Sequence, residues 1–243
     1  MKILLTNDDG FNAQGINVLN RVLNNAGHEV WVCAPSSQKS TCSHALTLHK
    51  NLRVIKVSER IYHCEGYPAD CVLFAISGAI PCPKPDVVIS GINKGYNLST
   101  DLIYSGTVGA AEEAVVRGFP AIAVSAASTE NAYEDAAEFV AKHIEKLTSL
   151  CPRDCYININ VPENSQGRYK TSILGKIHYH DKLKGAGENF MVTGEESPSM
   201  DKPYDPETDY AAVYDKSTIA ISCVRLLPCL DEAGQEKLAN LDG

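Results

Sequence analysis

The regular alternation of short apolar segments with longer amphipathic ones constrains the fold more than any other feature of this chain. The segments KILLT, residues 2–6, and HEVWVCAP, residues 28–35, are apolar runs typical of buried strands. Between them, Ile16, Leu19 and Leu23 recur at the spacing of one helix face. A strand, a helix and a second strand in this order predict parallel strands joined through a helix.

The same alternation continues to about residue 162. The strand-like runs are almost continuously apolar, which is typical of a parallel sheet covered by helices on both faces. We therefore predict a doubly wound α/β core with a mostly parallel sheet over about residues 1–162. Further strands are predicted at residues 51–57, 60–64, 84–91, 119–126 and 155–162, and further helices at 68–80, 105–118 and 131–150.

The rest of the chain differs from the core in composition and in periodicity. Residues 180–210 are polar, interrupted by Gly and Pro, and only weakly periodic. The segments AAVYD, residues 211–215, and STIAISCV, residues 217–224, predict a pair of strands, and residues 231–241 predict a short helix. Because this tail is too small to fold alone, it should pack on another structure.

We therefore expect a single domain over residues 1–243. Within it, residues 163–243 form a C-terminal extension with a β-hairpin arm. The extension is expected to pack on the core or on a partner protomer.

Composition excludes several classes of partner. The net charge is −8, whereas binding to duplex nucleic acid depends on basic patches, and an anionic membrane is equally unfavourable. The apolar runs are too short to span a bilayer, and the N-terminus enters a predicted strand without a leader segment. The nine cysteines are scattered without a C-x-x-C pair, which favours reduced thiols in a reducing compartment. We expect a cytoplasmic protein.

Oxygen-bearing side chains follow three of the predicted strands. Asp8 and Asp9 come directly after the first strand, Ser40 lies in the loop after the second, and Asn93 follows the run KPDVVIS. In an open α/β sheet, ligands bind at the carboxyl ends of the strands, where these loops meet. Carboxylate, hydroxyl and amide oxygens suit Mg²⁺ or Mn²⁺, and a dication would offset the repulsion between the adjacent aspartates. The alternative is an Asx or Asp-Gly turn that caps the following helix.

A second candidate element is the segment Ser105-Gly106-Thr107, which leads into a predicted helix. Backbone N–H groups and the helix dipole at such a start can hold an anion, and Gly106 permits close approach of the backbone. The alternative is an ordinary helix cap. Beside a dication, an anion cradle is what hydrolysis of a phosphate ester requires.

Five motifs in order carry a resemblance to a known family. The motifs are MKILLTNDDGFNAQGI, VCAPSSQKSTCSHALTL, GYPADCV, PDVVISGINKGYNLSTDLIYSGTVGAAEEA and INVP, and TDYAAVYDKSTIAI follows as a weaker match in the tail. Together they resemble the SurE family of survival-protein nucleotidases. The resemblance implies a Rossmann-like core, a metal-dependent phosphatase that acts on nucleoside monophosphates, and a homodimer or homotetramer that exchanges C-terminal arms.

The motifs also imply roles for individual residues. Asp8 and Asp9 match the catalytic, metal-binding carboxylates, and one Mg²⁺ or Mn²⁺ ion is expected per subunit. Ser40 and Asn93 match the remaining metal ligands, and Asn97 with Ser105, Gly106 and Thr107 matches the surroundings of the substrate phosphate. The chain departs from the family pattern in loop positions, where Ser36, Thr41, Tyr96 and Ser99 replace Asp, Gly or Ala, Pro and Gly respectively.

The hypothesis that follows is a 5′-nucleotidase that releases nucleoside and phosphate, with nucleoside 3′-monophosphates and short polyphosphate as further candidate substrates. Asp9 is a candidate to orient or deprotonate the attacking water. A covalent aspartyl-phosphate route stays open as a mechanism. A nucleotide sensor that binds metal and phosphate without turnover stays open as a function.

Overall fold

A computed structural model describes residues 1–179, 181–193 and 205–228. It contains a nine-stranded sheet in the order β3-β4-β2-β1-β5-β6-β7-β11-β8 and a separate hairpin of β9 and β10. The strands are β1 (Lys2–Thr6), β2 (Glu29–Pro35), β3 (Val54–Lys56), β4 (Ile61–Cys64), β5 (Val87–Lys94), β6 (Ala121–Ala126), β7 (Cys155–Val161), β8 (Tyr169–Thr171), β9 (Lys182–Ala186), β10 (Asn189–Thr193) and β11 (Ile219–Arg225). The helices are α1 (Gln14–Asn25), α2 (Pro68–Ile76), α3 (Gly106–Val116) and α4 (Glu130–Leu150).

The centre of the sheet is parallel and changes direction of winding at β1. Ile3 of β1 pairs with Val30 of β2 on one side and with Val87 of β5 on the other, both in parallel register. From β1 the chain adds β2 and β4 on one side and β5, β6 and β7 on the other. The predicted doubly wound α/β fold is therefore confirmed. Its switch point, where such folds bind ligands, lies beyond the carboxyl ends of β1 and β5.

Helices cover both faces of this sheet. Apolar residues of α1 and α4 pack against one face in a cluster that includes Ile3, Leu19 and Val140. On the opposite face, α2 and α3 pack against side chains such as Leu4 and Val88. Because both faces are covered, the central strands are mostly apolar on both faces, which is the pattern that the sequence shows.

The tail contributes strands to the sheet, although one predicted strand is wrong. β11 pairs antiparallel with β7 and parallel with β8, so it extends the core sheet as a strand. The segment Ala211–Asp215, predicted as a strand, is instead a π-helical turn. Its small side chains Ala212 and Val213 are buried against Leu98 and Ile177, so tertiary packing decides its conformation.

The hairpin in the tail is formed by β9 and β10 rather than by the two segments predicted to pair. The predicted helix at residues 231–241 lies outside the described residues. Within residues 1–179, 181–193 and 205–228, no helix is both long and apolar enough to cross a membrane. The eight cysteines of these ranges are all free thiols.

Candidate active site

A cleft lies at the switch point of the sheet. Its volume is about 790 Å³, which is within the usual range for small-molecule sites. Six of the eight residues predicted from the sequence line it, namely Asp8, Asp9, Ser40, Asn93, Asn97 and Ser105. The fold therefore brings together loops that are far apart in the chain.

The turn after β1 is held by Asn7 and not by either aspartate. Asn7 Nδ2 donates to the carbonyl of Gly10 at 2.9 Å, and Asn7 Oδ1 accepts from the Gly10 N–H at 3.1 Å. Helix α1 begins after Ala13 without a side-chain cap. Neither capping nor the turn therefore accounts for Asp8 and Asp9.

Asp8 is buried at the start of α3. Its side chain is 6% exposed, and the Thr107 hydroxyl donates to Asp8 Oδ1 at 2.6 Å. Burial raises the pKa of the Asp8 carboxyl to about 6, and the neighbouring charge of Asp9 adds to that rise. The Thr107 side chain and backbone N–H oppose it, because hydrogen bonds favour the charged carboxylate.

Each of the other candidate ligands has one polar atom engaged by the fold. Asp9 Oδ2 accepts from the Lys94 N–H at 2.9 Å, which leaves Oδ1 for a ligand. Asn93 Nδ2 donates to the Gly95 carbonyl at 3.0 Å, so Oδ1 is the atom that can coordinate a cation. The exposed Ser40 hydroxyl accepts from the amide of Gln38 at 2.9 Å.

This donor set fits a hard divalent cation. It offers two adjacent carboxylates, an amide oxygen and a hydroxyl in one cleft, with no soft or nitrogen ligand among them. In the described part of the chain, no three His, Cys, Asp or Glu side chains form a group that could hold a metal. Mg²⁺ and Mn²⁺ accept few protein ligands because they keep several waters, whereas zinc in structural sites is usually bound by four.

Two of the predicted phosphate residues lie behind the cleft surface. Thr107 is fully buried, and its hydroxyl is committed to Asp8. A Cβ atom on Gly106 would lie 2.5 Å from Cys42 Sγ and 3.0 Å from Asp8 Cβ. Glycine at 106 therefore lets the start of α3 approach the Asp8 side chain. Ser105 caps α3 by accepting from the Val108 N–H at 3.1 Å, so the capping alternative is correct for its side chain.

Asn97 is held in a buried amide network. Its Nδ2 donates to Ser125 Oγ at 2.8 Å, and its backbone N–H donates to Asn160 Oδ1 at 2.8 Å. Asn158 and Asn160 both donate to the Asn97 carbonyl, at 2.9 and 2.8 Å. The loop after β5 is therefore fixed to β6 and β7 at this residue.

Farther along the same loop, the segment before α3 is held by the tail. Ser99 adopts a left-handed backbone with a φ of 54°, where the family pattern has glycine. Its N–H and hydroxyl donate to the two oxygens of the buried Asp209 carboxylate, at 2.7 and 2.5 Å. The helical turn Ser99–Ile103 therefore depends on a residue 110 positions away.

Sequence reasoning missed the outer wall of the cleft. This wall combines the turn before α3 with tail residues 177–181, which no sequence motif assigned to the site. Its residues are Thr100, Asp101, Ile103, Ile177, His178, Tyr179 and Asp181, beside Tyr96 and Tyr104. The available signals were the replacement of a family proline by Tyr96 and the position of Tyr104 after the same strand, directly before Ser105.

Comparison with known proteins agrees with the motifs. A family model described as survival protein SurE matches residues 3–181. A protein named 5′-nucleotidase SurE from Desulfitobacterium hafniense is 45% identical over 225 residues, which cover 88% of this chain and 86% of the relative. A 5′-nucleotidase SurE from Geotalea daltonii is 42% identical over 204 residues, which cover 80% of this chain and 82% of that protein.

The crystal structure of the SurE protein from Aquifex aeolicus superposes with a TM-score of 0.84 at 30% sequence identity, covering 99% of each chain. The fold and the predicted family are therefore confirmed together. With a family match over most of its length and relatives this similar, the chain belongs to the SurE family.

Proposed function

We propose that the protein is a divalent-metal-dependent 5′-nucleotidase, which hydrolyses nucleoside monophosphates to nucleoside and phosphate. The observation that carries this proposal is the meeting of Asp8 and Asp9 with Asn93 and Ser40 in one cleft at the switch point. The curated relatives named 5′-nucleotidase support the same reaction.

In this proposal, Asp8, Asp9, Ser40 and Asn93 hold one Mg²⁺ or Mn²⁺ ion per subunit. When bound, such an ion polarises a phosphoryl oxygen and lowers the pKa of a coordinated water. The chain contributes preorganisation, because hydrogen bonds from the fold orient both carboxylates: Thr107 donates to Asp8, and the Lys94 N–H donates to Asp9. The two carboxylates therefore need not change orientation when substrate enters.

The proposed phosphate site consists of Asn97 and Ser105 at the cleft surface, with Gly106 and Thr107 directly behind them. The positive end of the α3 dipole and the close approach at Gly106 favour an anion there. Thr107 acts on the site through its hydrogen bonds to Asp8. Asn97 fixes the position of the loop, because its backbone is bound to β7.

Asp9 is the proposed group that orients or deprotonates the attacking water. It is more exposed than Asp8, and its fixed Oδ2 holds the carboxylate in a defined direction. Direct attack by water is preferred over a covalent route, in which one aspartate would be phosphorylated and then hydrolysed. Mass spectrometry of acid-quenched enzyme during turnover distinguishes the two, since only the covalent route gives a phosphorylated aspartate.

The substrate range is proposed to include nucleoside 3′-monophosphates and short polyphosphate, and the location to be the cytoplasm. A homodimer or homotetramer is proposed as the assembly. Its support is the hairpin of β9 and β10, which exposes Leu183, Phe190, Met191 and Val192. Apolar side chains on a protruding hairpin are typical of a contact with another protomer.

The test is phosphate release from a panel of nucleoside 5′- and 3′-monophosphates, with Mg²⁺ or Mn²⁺ and then with excess chelator. Asp9→Asn keeps an oxygen for the Lys94 N–H but removes the charge, and Asp154→Asn is a matched control at an exposed carboxylate. We expect metal-dependent release by the native protein and the control. We expect at least a hundredfold loss in Asp9→Asn, as is typical when an essential acid–base group is removed.

Two results would contradict the proposal. The first is no release with any metal from protein whose circular dichroism and thermal unfolding show it to be folded. Binding of the nucleotide without release would then identify the protein as a sensor. The second is full release in the presence of chelator, which would remove the metal from the reaction.

A further inference from the structure

The outer wall of the cleft exposes large apolar side chains next to the charged centre. Ile103 is 68% exposed and Tyr104 is 58% exposed, and both line the cleft that contains Asp8 and Asp9. Exposed apolar groups grouped at the rim of a site are typical of a ligand-binding surface. No role is assigned to these two side chains by the metal and phosphate chemistry.

The backbone that carries them is rigid. The Ser43 N–H donates to the Tyr104 carbonyl at 3.0 Å, and the Ser43 hydroxyl donates to the Ile103 carbonyl at 2.9 Å. The Tyr104 N–H donates to the Asp101 carbonyl at 3.0 Å. The exposed Tyr104 ring is therefore presented on a fixed turn, one residue before the phosphate segment begins at Ser105.

A second tyrosine faces the same cleft from the tail. The Tyr179 hydroxyl donates to Asp101 Oδ1 at 2.5 Å, and its side chain is 43% exposed. This hydrogen bond uses the hydroxyl at the end of the ring and leaves the aromatic carbons of the ring without a polar partner to satisfy. Tyr104 and Tyr179 therefore both line the cleft, together with Asp101.

We propose that Tyr104, supported by Ile103 and Tyr179, binds the base of the nucleotide by stacking. The inference rests on the proposed function, since it takes the phosphate to lie at Asp8 and Asp9. A phosphate held there leaves the nucleoside to extend along the cleft, whose volume of about 790 Å³ accommodates it. Every nucleobase has an aromatic face, and stacking on tyrosine is a sequence-tolerant contact.

Stacking has different consequences for selection of nucleotides over sugar phosphates and for selection among bases. Stacking should favour a nucleotide strongly over a sugar phosphate that lacks a base. It should discriminate only weakly among bases, because it does not read their hydrogen-bonding edges. The expected substrate class is thus nucleoside monophosphates with broad base tolerance.

The experiment compares adenosine 5′-monophosphate with ribose 5-phosphate, which has the same phosphate ester without the base. The variants are Tyr104→Ala, Tyr104→Phe and, as a control for an exposed tyrosine elsewhere, Tyr169→Ala. We expect Tyr104→Ala to raise KM for the nucleotide about tenfold and to leave kcat/KM for ribose 5-phosphate unchanged. Tyr104→Phe keeps the aromatic face and should behave as the native protein, as should Tyr169→Ala.

An equal loss on both substrates in Tyr104→Ala would overturn the stacking role, as would an unchanged KM for the nucleotide. Calorimetric titration makes the same comparison without turnover. The native protein should bind the nucleotide more tightly than ribose 5-phosphate, and Tyr104→Ala should reduce that difference. Tighter binding of the nucleotide with no hydrolysis would contradict the nucleotidase and support the stacking surface. Equal affinity of the native protein for both ligands would contradict the stacking surface.

Discussion

The Thr107 hydroxyl donates a hydrogen bond of 2.6 Å to Asp8 Oδ1, across 99 positions of sequence. Thr107 also donates through its backbone N–H to the same carboxylate. The start of α3 therefore serves two purposes. It orients a candidate metal ligand, and its dipole stabilises the negative charge that the ligand must carry.

Thr107→Val should weaken metal binding. The substitution keeps the shape of the side chain but removes the donor, so Asp8 loses one of the hydrogen bonds that favour its charged form. We expect the metal affinity to fall by about tenfold, within the usual range for loss of an outer-shell partner. The measurement is the metal concentration that gives half-maximal phosphate release, together with calorimetric titration of the metal.

Thr107→Ser is the matched control, because it keeps the hydroxyl and should retain metal affinity. If valine bound metal as tightly as threonine, the hydrogen bond would have no part in organising the site.

Asp209→Asn should loosen the turn before α3. The carboxylate accepts both the N–H and the hydroxyl of Ser99, and an amide in its place presents an NH₂ group to one of these donors. A buried donor without an acceptor costs about 1–3 kcal/mol, so we expect a loss of that size in the free energy of unfolding. Urea denaturation measures it, and Asp205→Asn at an exposed position of the same tail is the control.

The same variant should raise KM for phosphate esters, because the turn leads directly to Ser105. Unchanged stability and unchanged KM would show that Asp209 does not position this segment.

Gly15→Ala should destabilise the strand that carries Asn93. A Cβ atom on Gly15 of α1 would lie 2.1 Å from the carbonyl oxygen of Ile92, so the helix or β5 must move. Overpacking of this kind typically costs about 1–3 kcal/mol, although alanine is the better helix former. Thermal unfolding measures the change, and Asn17→Ala on the exposed face of α1 is the control. A stabilised Gly15→Ala protein would contradict this contact.

His44 should make the stability of the protein dependent on pH. Its ring nitrogens lie 3.3 Å from the Glu112 carboxylate and 2.9 Å from that of Glu113, and these contacts raise the His44 pKa from 6.5 to about 9. Arg117 also binds Glu113. Burial raises the pKa of Tyr156, and the nearby charge of Glu112 adds to that rise. Because the folded protein holds the proton more tightly, the stabilisation is complete below pH 6.5 and is lost as the pH rises through about 9.

The measurement is the free energy of unfolding of the native protein and of His44→Gln at about pH 6 and about pH 10. At about pH 6 the native protein should be more stable than His44→Gln by about 1–3 kcal/mol, a range kept small because His44 and its carboxylate partners are partly exposed. At about pH 10 the difference in free energy of unfolding between the two proteins should be smaller. A difference that is independent of pH would mean that His44 acts through packing alone.

Much of the fold could be predicted because burial leaves a local signature in the sequence. The strands from β1 to β7 and the helices from α1 to α4 occur where apolar periodicity placed them. The tail is different. The sequence predicted a strand at residues 211–215, yet Ala212 and Val213 are buried in a helical turn against Leu98. Small residues accept either conformation, so packing decides.

The candidate ligands could also be predicted, because polar residues directly after parallel strands must meet at one edge of the sheet. The contacts that support these ligands could not be predicted from the sequence. Thr107 lies in the predicted phosphate segment, but its hydroxyl is bound to Asp8. The wall formed by Ile177 and Tyr179 comes from the tail, where no motif assigned a residue to the site.

The sequence by itself determined the doubly wound core, the family and the residues at the carboxyl ends of the strands. These follow from local periodicity and from motifs, which are properties of neighbouring residues. Only the tertiary structure decided that Thr107 supports Asp8, that Asp209 holds Ser99, and that Tyr104 and Tyr179 face one cleft. Such pairs join residues far apart in the chain, and their hydrogen bonds form only where packing brings donor and acceptor within reach.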